Sequence, residues 1–383
     1  MTLIADTSEL AEFCKRQAGA DFIAVDTEFM RDRTYWPELC LVQVAGPAEA
    51  AAIDPLSPGL DLAPLLQLLA DPALLKVFHA ARQDIEIFVK IAGAIPMPLF
   101  DTQVAAMVCG FGDSASYETL AGKLAGARID KSARFTDWSH RPLTERQVKY
   151  ALSDVVPLRK VYERLHQTLD RNGRSAWLAE EIAVLTDPGT YALDPRQAWR
   201  RFKLRGGNRR MLAVLRELAA WRELAAQQRN LPRNRLLRDE QLLEIAAHPP
   251  ASLSDLARTR GIGKGFVDGK LGLEVLETVK RALELPASEH PEMPPRRETP
   301  PGIGPLVDLL RVLLKLRAEE HGVASRLVAS AEDLEQIAAS DEAEVPALHG
   351  WRRDVFGEDA LRLKHAKLAL TAAGNQIRLV RME

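Results

Sequence analysis

The sequence predicts an α/β domain built on a mixed sheet, followed by a region of helices alone. Three observations predict it. Apolar runs of strand length crowd the N-terminal part, longer segments with helical spacing then alternate with them, and from about Ala176 onward strand patterns vanish. In order, Ser8–Gln17 reads as a helix, and Phe22–Glu28, Leu39–Val44 and Ala50–Ile53 as three neighbouring strands. Leu62–Leu69 reads as a helix, Leu75–Phe78 as a strand, and Gln83–Ile91, Ser116–Leu124 and Glu145–Leu169 as helices.

The stretch "FIAVDTEF" sets an acid pair into an otherwise buried strand. Strand side chains alternate, so Asp26 and Glu28 point to the same side, about 7 Å apart along the chain. Two such carboxylates repel and lose solvation unless a cation lies between them. In "KVFHAARQDIEIFVK" a strand runs into a helix, with Asp84 near the helix start. "LTERQVKYALSDVVPL" opens with Thr144 and Gln147 at capping-box spacing. It places Tyr150 and Asp154 on one helical face. Pro157 cannot serve the carbonyl of Ser153, so a kink or restart is expected just beyond Asp154.

With 383 residues, 46% hydrophobic and 27% charged, the chain has the composition of a soluble protein of two or three domains. No apolar run reaches membrane-spanning length, and the N-terminus lacks a signal-peptide pattern, so a cytoplasmic protein with no membrane role is expected. Three cysteines without CxxC spacing argue against a disulfide frame or structural zinc. Residues 1–172 carry 18 basic and 23 acidic side chains, a net of −5; residues 173–290 carry 20 and 15, a net of +5; residues 291–383 carry 13 and 15, a net of −2. The basic excess peaks in "PRQAWRRFKLRGGNRR" (Pro195–Arg210), which has seven basic residues and no acid, with Trp199 and Phe202 interleaved. Such a run is either a solvated helix face or a phosphate-gripping surface. "RGIGKGF" at Arg260–Phe266 lacks the strand and the Lys-Ser/Thr ending of a nucleotide loop, so a tight turn between helices is expected there.

Pro286–Pro305 holds seven prolines and reads as an extended linker. The segments on either side match: Leu218–Ala246 resembles Leu313–Ala338, as expected of a duplicated domain. The expected division is 1–172 the α/β domain, 173–207 a basic helical connector, 208–288 the first helical domain, 289–304 the linker, and 305–383 the second helical domain.

"DTE" at Asp26–Glu28, Asp84 within "HAARQDIEIF", and Tyr150 to Asp154 resemble the three motifs of the DEDD superfamily of 3′–5′ exonucleases, specifically its ribonuclease D family. "CLVQVAG", "FDTQVAA" and "DWSHRPLTERQVKYALSD" are similar to that family too, and the two C-terminal repeats resemble the HRDC module. The resemblance implies a ribonuclease H-like mixed-sheet exonuclease domain followed by two all-α HRDC domains. It implies two divalent metal ions, Mg²⁺ or Mn²⁺, with Asp26 touching both and Glu28, Asp84 and Asp154 completing their shells. Tyr150 would orient the attacking water. Relatives that use histidine place it where this chain has Lys149, so the tyrosine branch fits. The implied partner is RNA with a single-stranded 3′ end, such as tRNA precursors and small structured RNAs, acted on by a monomer. Phe29, Met30, His79, Arg200, Arg201, Lys203, Arg205, Arg209 and Arg210 are candidate RNA contacts. Core packing is the alternative for Phe29, Met30 and His79. A DNA-directed 3′–5′ exonuclease and a non-catalytic RNA tether are the competing functions.

Overall fold

The computed structural model describes residues 2–204, 206–293 and 300–382. Arg205 and the centre of the proline-rich linker, 294–299, lie outside the described residues. The described chain forms two compact units. One gathers the residues up to Glu28, Cys40–Asp187 and the C-terminal residues from Pro300; the other gathers Phe29–Leu39 and the residues from Pro188 to Met293.

The N-terminal 172 residues build the sheet. Its strands are β1 (Thr2–Ile4), β2 (Phe22–Met30), β3 (Glu38–Ala45), β4 (Ala50–Ile53), β5 (Leu75–Phe78) and β6 (Leu99–Asp101), in the order β1-β4-β3-β2-β5-β6. β1 pairs parallel with β4, β2 with β5, and β5 with β6, while β3 and β4 are antiparallel, so the sheet is mixed as expected. The short outer strands β1 and β6 are additions that three-residue runs could not announce. The helices are α1 (Thr7–Gln17), α2 (Ala63–Ala70), α3 (Arg82–Ala92), α4 (Thr102–Val108), the one-turn α5 (Tyr117–Leu120), α6 (Glu145–Asn172) and α7 (Ser175–Leu185). Register places the functional end. Ala24 of β2 faces Val77 of β5, so Asp26 and Glu28 extend past Phe78, where β5 ends. The acids thus sit at the carboxyl ends of parallel strands, the usual place for a site in an open α/β sheet.

α6 runs unbroken through Pro157 for 28 residues, which corrects the expected restart beyond Asp154. The carbonyl of Ser153, which Pro157 cannot serve, accepts the Tyr117 hydroxyl at 3.4 Å. Thr144 and Gln147 form the capping box, and Val148, Ala151, Leu152, Val155, Leu158, Val161 and Leu165 turn one face into the core. Arg159 donates from α6 to the carbonyls of Phe22 and Ala45 and lies over the Phe22 ring, fixing the helix to the sheet. The loop before α6 is held by Arg141. It bonds buried Asp54 through two nitrogens, at 2.7 and 2.6 Å, and reaches the carbonyls of Cys40 and Trp138.

In the second unit, Pro195–Arg201 and helix α8 (Arg209–Arg229) pack with Asp239–Ala247 and Lys270–Glu284 around a core that includes Trp199 and Phe202. The two aromatics of the basic run are therefore core residues. The repeat is visible as repeated elements. Left-handed caps at Asn230 and Gly322, one-turn helices starting at Arg233 and Ser325, and helices starting at Asp239 and Ala331 are each 92 residues apart (322 − 230, 325 − 233, 331 − 239).

The second copy packs against α4 and α7 within the first unit. Trp177 stacks on Trp351 with centroids 4.3 Å apart, Arg352 pairs with Glu180 and Glu181, and Ala324 N–H donates to the Met107 carbonyl. Gly110, at φ +83°, allows a close approach: a Cβ there would lie 2.7 Å from the Gly322 carbonyl oxygen.

Helices alone were expected from Ala176 onward, and the C-terminus corrects this. Leu368–Ala373 and Gln376–Arg381 form an antiparallel hairpin in which Ala373 faces Gln376. Gly374, at φ +66°, opens its two-residue turn. The signal was "AAGNQIRLV", a Gly-Asn turn between strand-forming runs.

Arg141→Ala leaves Asp54 buried without its partner, and a loss of about 3 kcal/mol is expected. Urea unfolding followed by tryptophan fluorescence measures it. A loss below about 1 kcal/mol would mean that the pair does not hold this loop.

Candidate active site

β2 and α6 bring three of the expected acids together. Asp26, Glu28 and Asp154 each offer a carboxylate oxygen, and these oxygens lie within 4.8 Å of one another. All three residues are half-buried, and among the described residues none forms an ion pair. Burial and mutual repulsion favour their protonated forms. Asp26 is raised well above the ordinary carboxylate range by burial and then by the charges of Asp84, Asp154 and Glu28. Burial, then the charges of Asp154 and Asp84, lifts Glu28 to about 8, and burial lifts Asp154 to about 7.

Asp84 stands apart from that cluster. It is buried in the first turn of α3, and its carboxylate accepts the Thr27 hydroxyl from the opposite side of β2. Burial raises it to about 7, while the Thr27 bond opposes the rise. Its charge still reaches Asp26 and Glu28. The turn leading to α3 is pinned. Asp101 accepts the N–H groups of Ala80 and Ala81 at 3.0 and 2.8 Å and that of Gln103 at 2.7 Å. Ala80 is held there at φ +60°, a conformation that L-residues visit only when surroundings impose it.

Tyr150 hydrogen-bonds Asp154, and its ring lies 5.9 Å from buried Trp138. Burial and the charges of Asp154, Glu28 and Asp26 push its hydroxyl well above the ordinary tyrosine range, so it stays protonated at neutral pH. Asp26, Tyr150 and Asp154 line one cleft of about 380 Å³ with His79, Tyr117, Lys131 and Arg134. His79 is both packed and at the cleft. Its ring lies 5.5 Å from that of Tyr117, and its Nδ1 is 3.0 Å from the Thr102 hydroxyl. That hydroxyl donates to the Phe78 carbonyl, so it accepts from Nδ1–H and leaves Nε2 as the unprotonated nitrogen. Burial lowers the His79 pKa.

Phe29 and Met30 are half-buried at the end of β2. Of the basic candidates, Arg201 lies 3.8 Å from Glu223 and from Asp239, and Arg209 3.3 Å from Glu292. Exposed Arg200, Lys203 and Arg210 form no ion pair among the described residues. Arg205 lies outside them. Sequence reasoning missed Thr27, Tyr117 and Arg134. Thr27 sat inside the recognised motif; the other two stand in loops whose course only the fold defines.

A half-buried group of hard oxygen donors without a counter-cation fits divalent metal ions. A family model described as a 3′–5′ exonuclease matches residues 1–170, and one for the HRDC domain matches residues 211–279. The N-terminal part is thus a 3′–5′ exonuclease domain. The chain is 53% identical to the ribonuclease D of Granulibacter bethesdensis over 380 residues, covering 99% of this chain and 96% of that one. It is 54% identical to the ribonuclease D of Acidiphilium cryptum over 378 residues, again covering 99% and 96%. The crystal structure of Escherichia coli RNase D, an exoribonuclease involved in structured RNA processing, superposes with a TM-score of 0.81 at 31% identity, covering 95% of this chain and 98% of that one. The chain belongs to the ribonuclease D family of 3′–5′ exoribonucleases.

The raised carboxylates give the metal-free protein a distinctive pH dependence. Folded, it keeps protons on Glu28 up to about 8 and on Asp84 and Asp154 up to about 7. The unfolded chain releases them near pH 4. The folded state therefore binds more protons between about pH 4 and 8, and stability falls as pH rises through that window. In EDTA, Tm is expected to fall from about pH 5 to about pH 8, less so in Glu28→Gln, with Mg²⁺ restoring it chiefly at the upper end. Equal Mg²⁺ effects at both ends would show that the cluster is already ionised at the lower.

Proposed function

We propose that the cleft hydrolyses the 3′-terminal phosphodiester of RNA and releases nucleoside 5′-monophosphates, with two divalent ions held by Asp26, Glu28, Asp84 and Asp154. The observation that carries this reading is the convergence of three carboxylate oxygens within 4.8 Å without an ion-pair partner among the described residues. Bound there, Mg²⁺ or Mn²⁺ would activate water and stabilise the developing charge on the phosphodiester oxygens. Asp84 joins the set through its influence on Asp26, while Thr27 orients its carboxylate.

The side chains around the cleft have their own tasks. Tyr150 keeps its proton, so it positions the attacking water instead of abstracting a proton as a phenolate. Its hydroxyl is oriented by Asp154 from one helical turn away. His79, neutral with Nε2 unprotonated, offers an acceptor to the terminal nucleotide. A cleft of about 380 Å³ suits a single nucleotide, which supports removal one residue at a time from a single-stranded end.

The substrates we infer are structured RNAs with single-stranded 3′ ends, tRNA precursors among them, in keeping with the likeness to the Escherichia coli enzyme. Arg200, Lys203 and Arg210, without ion pairs among the described residues, favour phosphate contacts by the basic connector. The division of the chain is read as exonuclease 1–172, connector 173–207, HRDC 208–288, linker 289–304 and a second HRDC-like domain 305–383. The 92-residue recurrence of caps and helices supports the last. We read the protein as a cytoplasmic monomer; no helix among the described residues is long and apolar enough to cross a membrane.

The test uses 5′-labelled single-stranded RNA and its DNA twin with Mg²⁺, Mn²⁺ or EDTA. A metal-dependent one-nucleotide ladder on RNA is expected, lost in Asp26→Asn and Asp154→Asn while RNA binding persists. Tyr150→Phe is expected to lower kcat about 100-fold or more without changing metal affinity. Degradation of DNA alone would support the DNA-directed alternative, and binding without cleavage would leave a tether.

A further inference from the structure

Facing the carboxylates across the cleft is a cation that the carboxylate chemistry does not employ. Arg134 follows the short turn Lys131–Ala133 and lines the same cavity as Asp26, Tyr150 and Asp154. Among the described residues it forms no ion pair. Yet its charge acts on Glu28, Asp154 and Tyr150 alike, which places the guanidinium within electrostatic reach of all three. The other basic groups on the cleft wall are committed. Lys131 pairs with Glu118 at 2.5 Å, and His79 is held neutral between Thr102 and Tyr117.

Phe135, the next residue, is 91% exposed, more than any other large hydrophobic side chain described. The Arg134 guanidinium lies 5.2 Å from its ring centroid. The segment presenting the two is anchored at both ends. Arg146 bonds Ser132 at 2.8 Å, and the Thr136 hydroxyl bonds the Ala133 carbonyl at 2.8 Å while receiving the Gln147 amide at 3.2 Å. A fully exposed aromatic ring on a braced loop beside an unpaired arginine is the pairing that single-stranded nucleic acid uses: a face for a base and a fork for a phosphate.

We propose that Arg134 and Phe135 form a substrate clamp, in which Arg134 grips a phosphate of the 3′-terminal nucleotides and Phe135 stacks on a base. The forked N–H groups of the guanidinium match phosphate oxygens in pairs. It supplies the positive charge that lets a polyanion enter a cleft floored with acids. The ring adds affinity for any base, since every base has a π face. The inference rests on the nuclease reading of the cleft. The two fail separately: Asp26→Asn tests that reading through turnover, whereas the clamp is tested through binding.

The experiment measures AMP and adenosine binding to the full-length protein in Mg²⁺, together with KM and kcat on single-stranded RNA. Arg134→Gln is expected to weaken AMP about tenfold or more and adenosine not at all. Arg134→Lys should fall between it and wild type. Arg134→Gln should also raise KM more than it lowers kcat, and reduce the slope of log KM against log salt by about 0.7, the value for one single-strand phosphate contact. Phe135→Ala is expected to weaken AMP and adenosine alike, or to raise the KM for RNA about tenfold if the stacked base is the penultimate one; Phe135→Trp should restore binding. Tm should match wild type throughout, both side chains being exposed, and Mg²⁺ affinity should match wild type in Phe135→Ala. Unchanged AMP affinity in Arg134→Gln would overturn the phosphate grip. So would an equal loss of AMP and adenosine, or a change confined to Mg²⁺ affinity. Phe135→Ala with wild-type nucleotide binding and wild-type KM would overturn the stacking platform.

Discussion

The constraint on which the rest of this structure depends is like-charge repulsion at the end of one strand. Asp26, Glu28 and Asp154 hold carboxylate oxygens within 4.8 Å of one another. At an effective dielectric constant of about 20, ionised carboxylates at such a separation repel by roughly 3 kcal/mol per pair. Burial raises the cost of ionising them further. Nothing local favours this arrangement. It exists because elements far apart in sequence are held rigidly enough that the acids cannot move apart, which is also the arrangement of hard oxygen donors that a small, hard cation requires.

The bracing is concentrated where the acids leave the backbone. Asp26 and Glu28 are fixed by β2, which pairs with β5 up to Ala24 and Val77. Asp154 is fixed by α6, whose capping box, apolar face and Arg159 bonds to the Phe22 and Ala45 carbonyls leave it little freedom to roll or slide. Even the proline one turn beyond Asp154 is accommodated, by lending the Ser153 carbonyl to Tyr117. Asp84 is set by a third device, the Asp101 carboxylate that gathers the N–H groups ahead of α3. Three independent supports, β2, α6 and the Asp101 turn, thus set the acids at this end of the sheet.

Much of this was legible in the sequence, because period-2 and period-3.6 patterns and capping residues act over a few neighbours. The acid pair on one side of β2, the Tyr150–Asp154 face and the Thr144 cap are all local facts. Convergence was not local and came from family resemblance. The misses share a cause. β1 and β6 are three residues long and exist through the strands beside them, and the C-terminal hairpin was hidden by the helices preceding it. The aromatics of the basic run looked like an interaction surface but are core, since period alone does not say which face meets a neighbour. Arg134 was invisible for the opposite reason: its loop carries no periodic pattern, and its meaning comes only from what it faces.

The recurring helical pattern is attached differently in its two copies. In both copies a long helix ends in a left-handed cap and is followed by a one-turn helix, and in both this corner holds a segment from the N-terminal 172 residues within the same compact unit. In the first copy the corner takes Phe29–Leu39. Asn230 accepts the Trp36 N–H, and Arg233 bonds Glu223 and the Tyr35 hydroxyl beneath its guanidinium. In the second, Gly322 replaces Asn230, and its carbonyl accepts Arg174 while Ala324 and Arg326 N–H groups reach Met107 and Asp113. Polar side chains make the first attachment; in the second, backbone groups at 322–326 take part, with Gly110 allowing their close approach. Residues 173–290 carry a net of +5, whereas residues 291–383, which pack against α4 and α7, carry −2. A recurring helical pattern can keep its corner geometry while its surface charge changes, because that charge is set by exposed side chains and the corner by backbone.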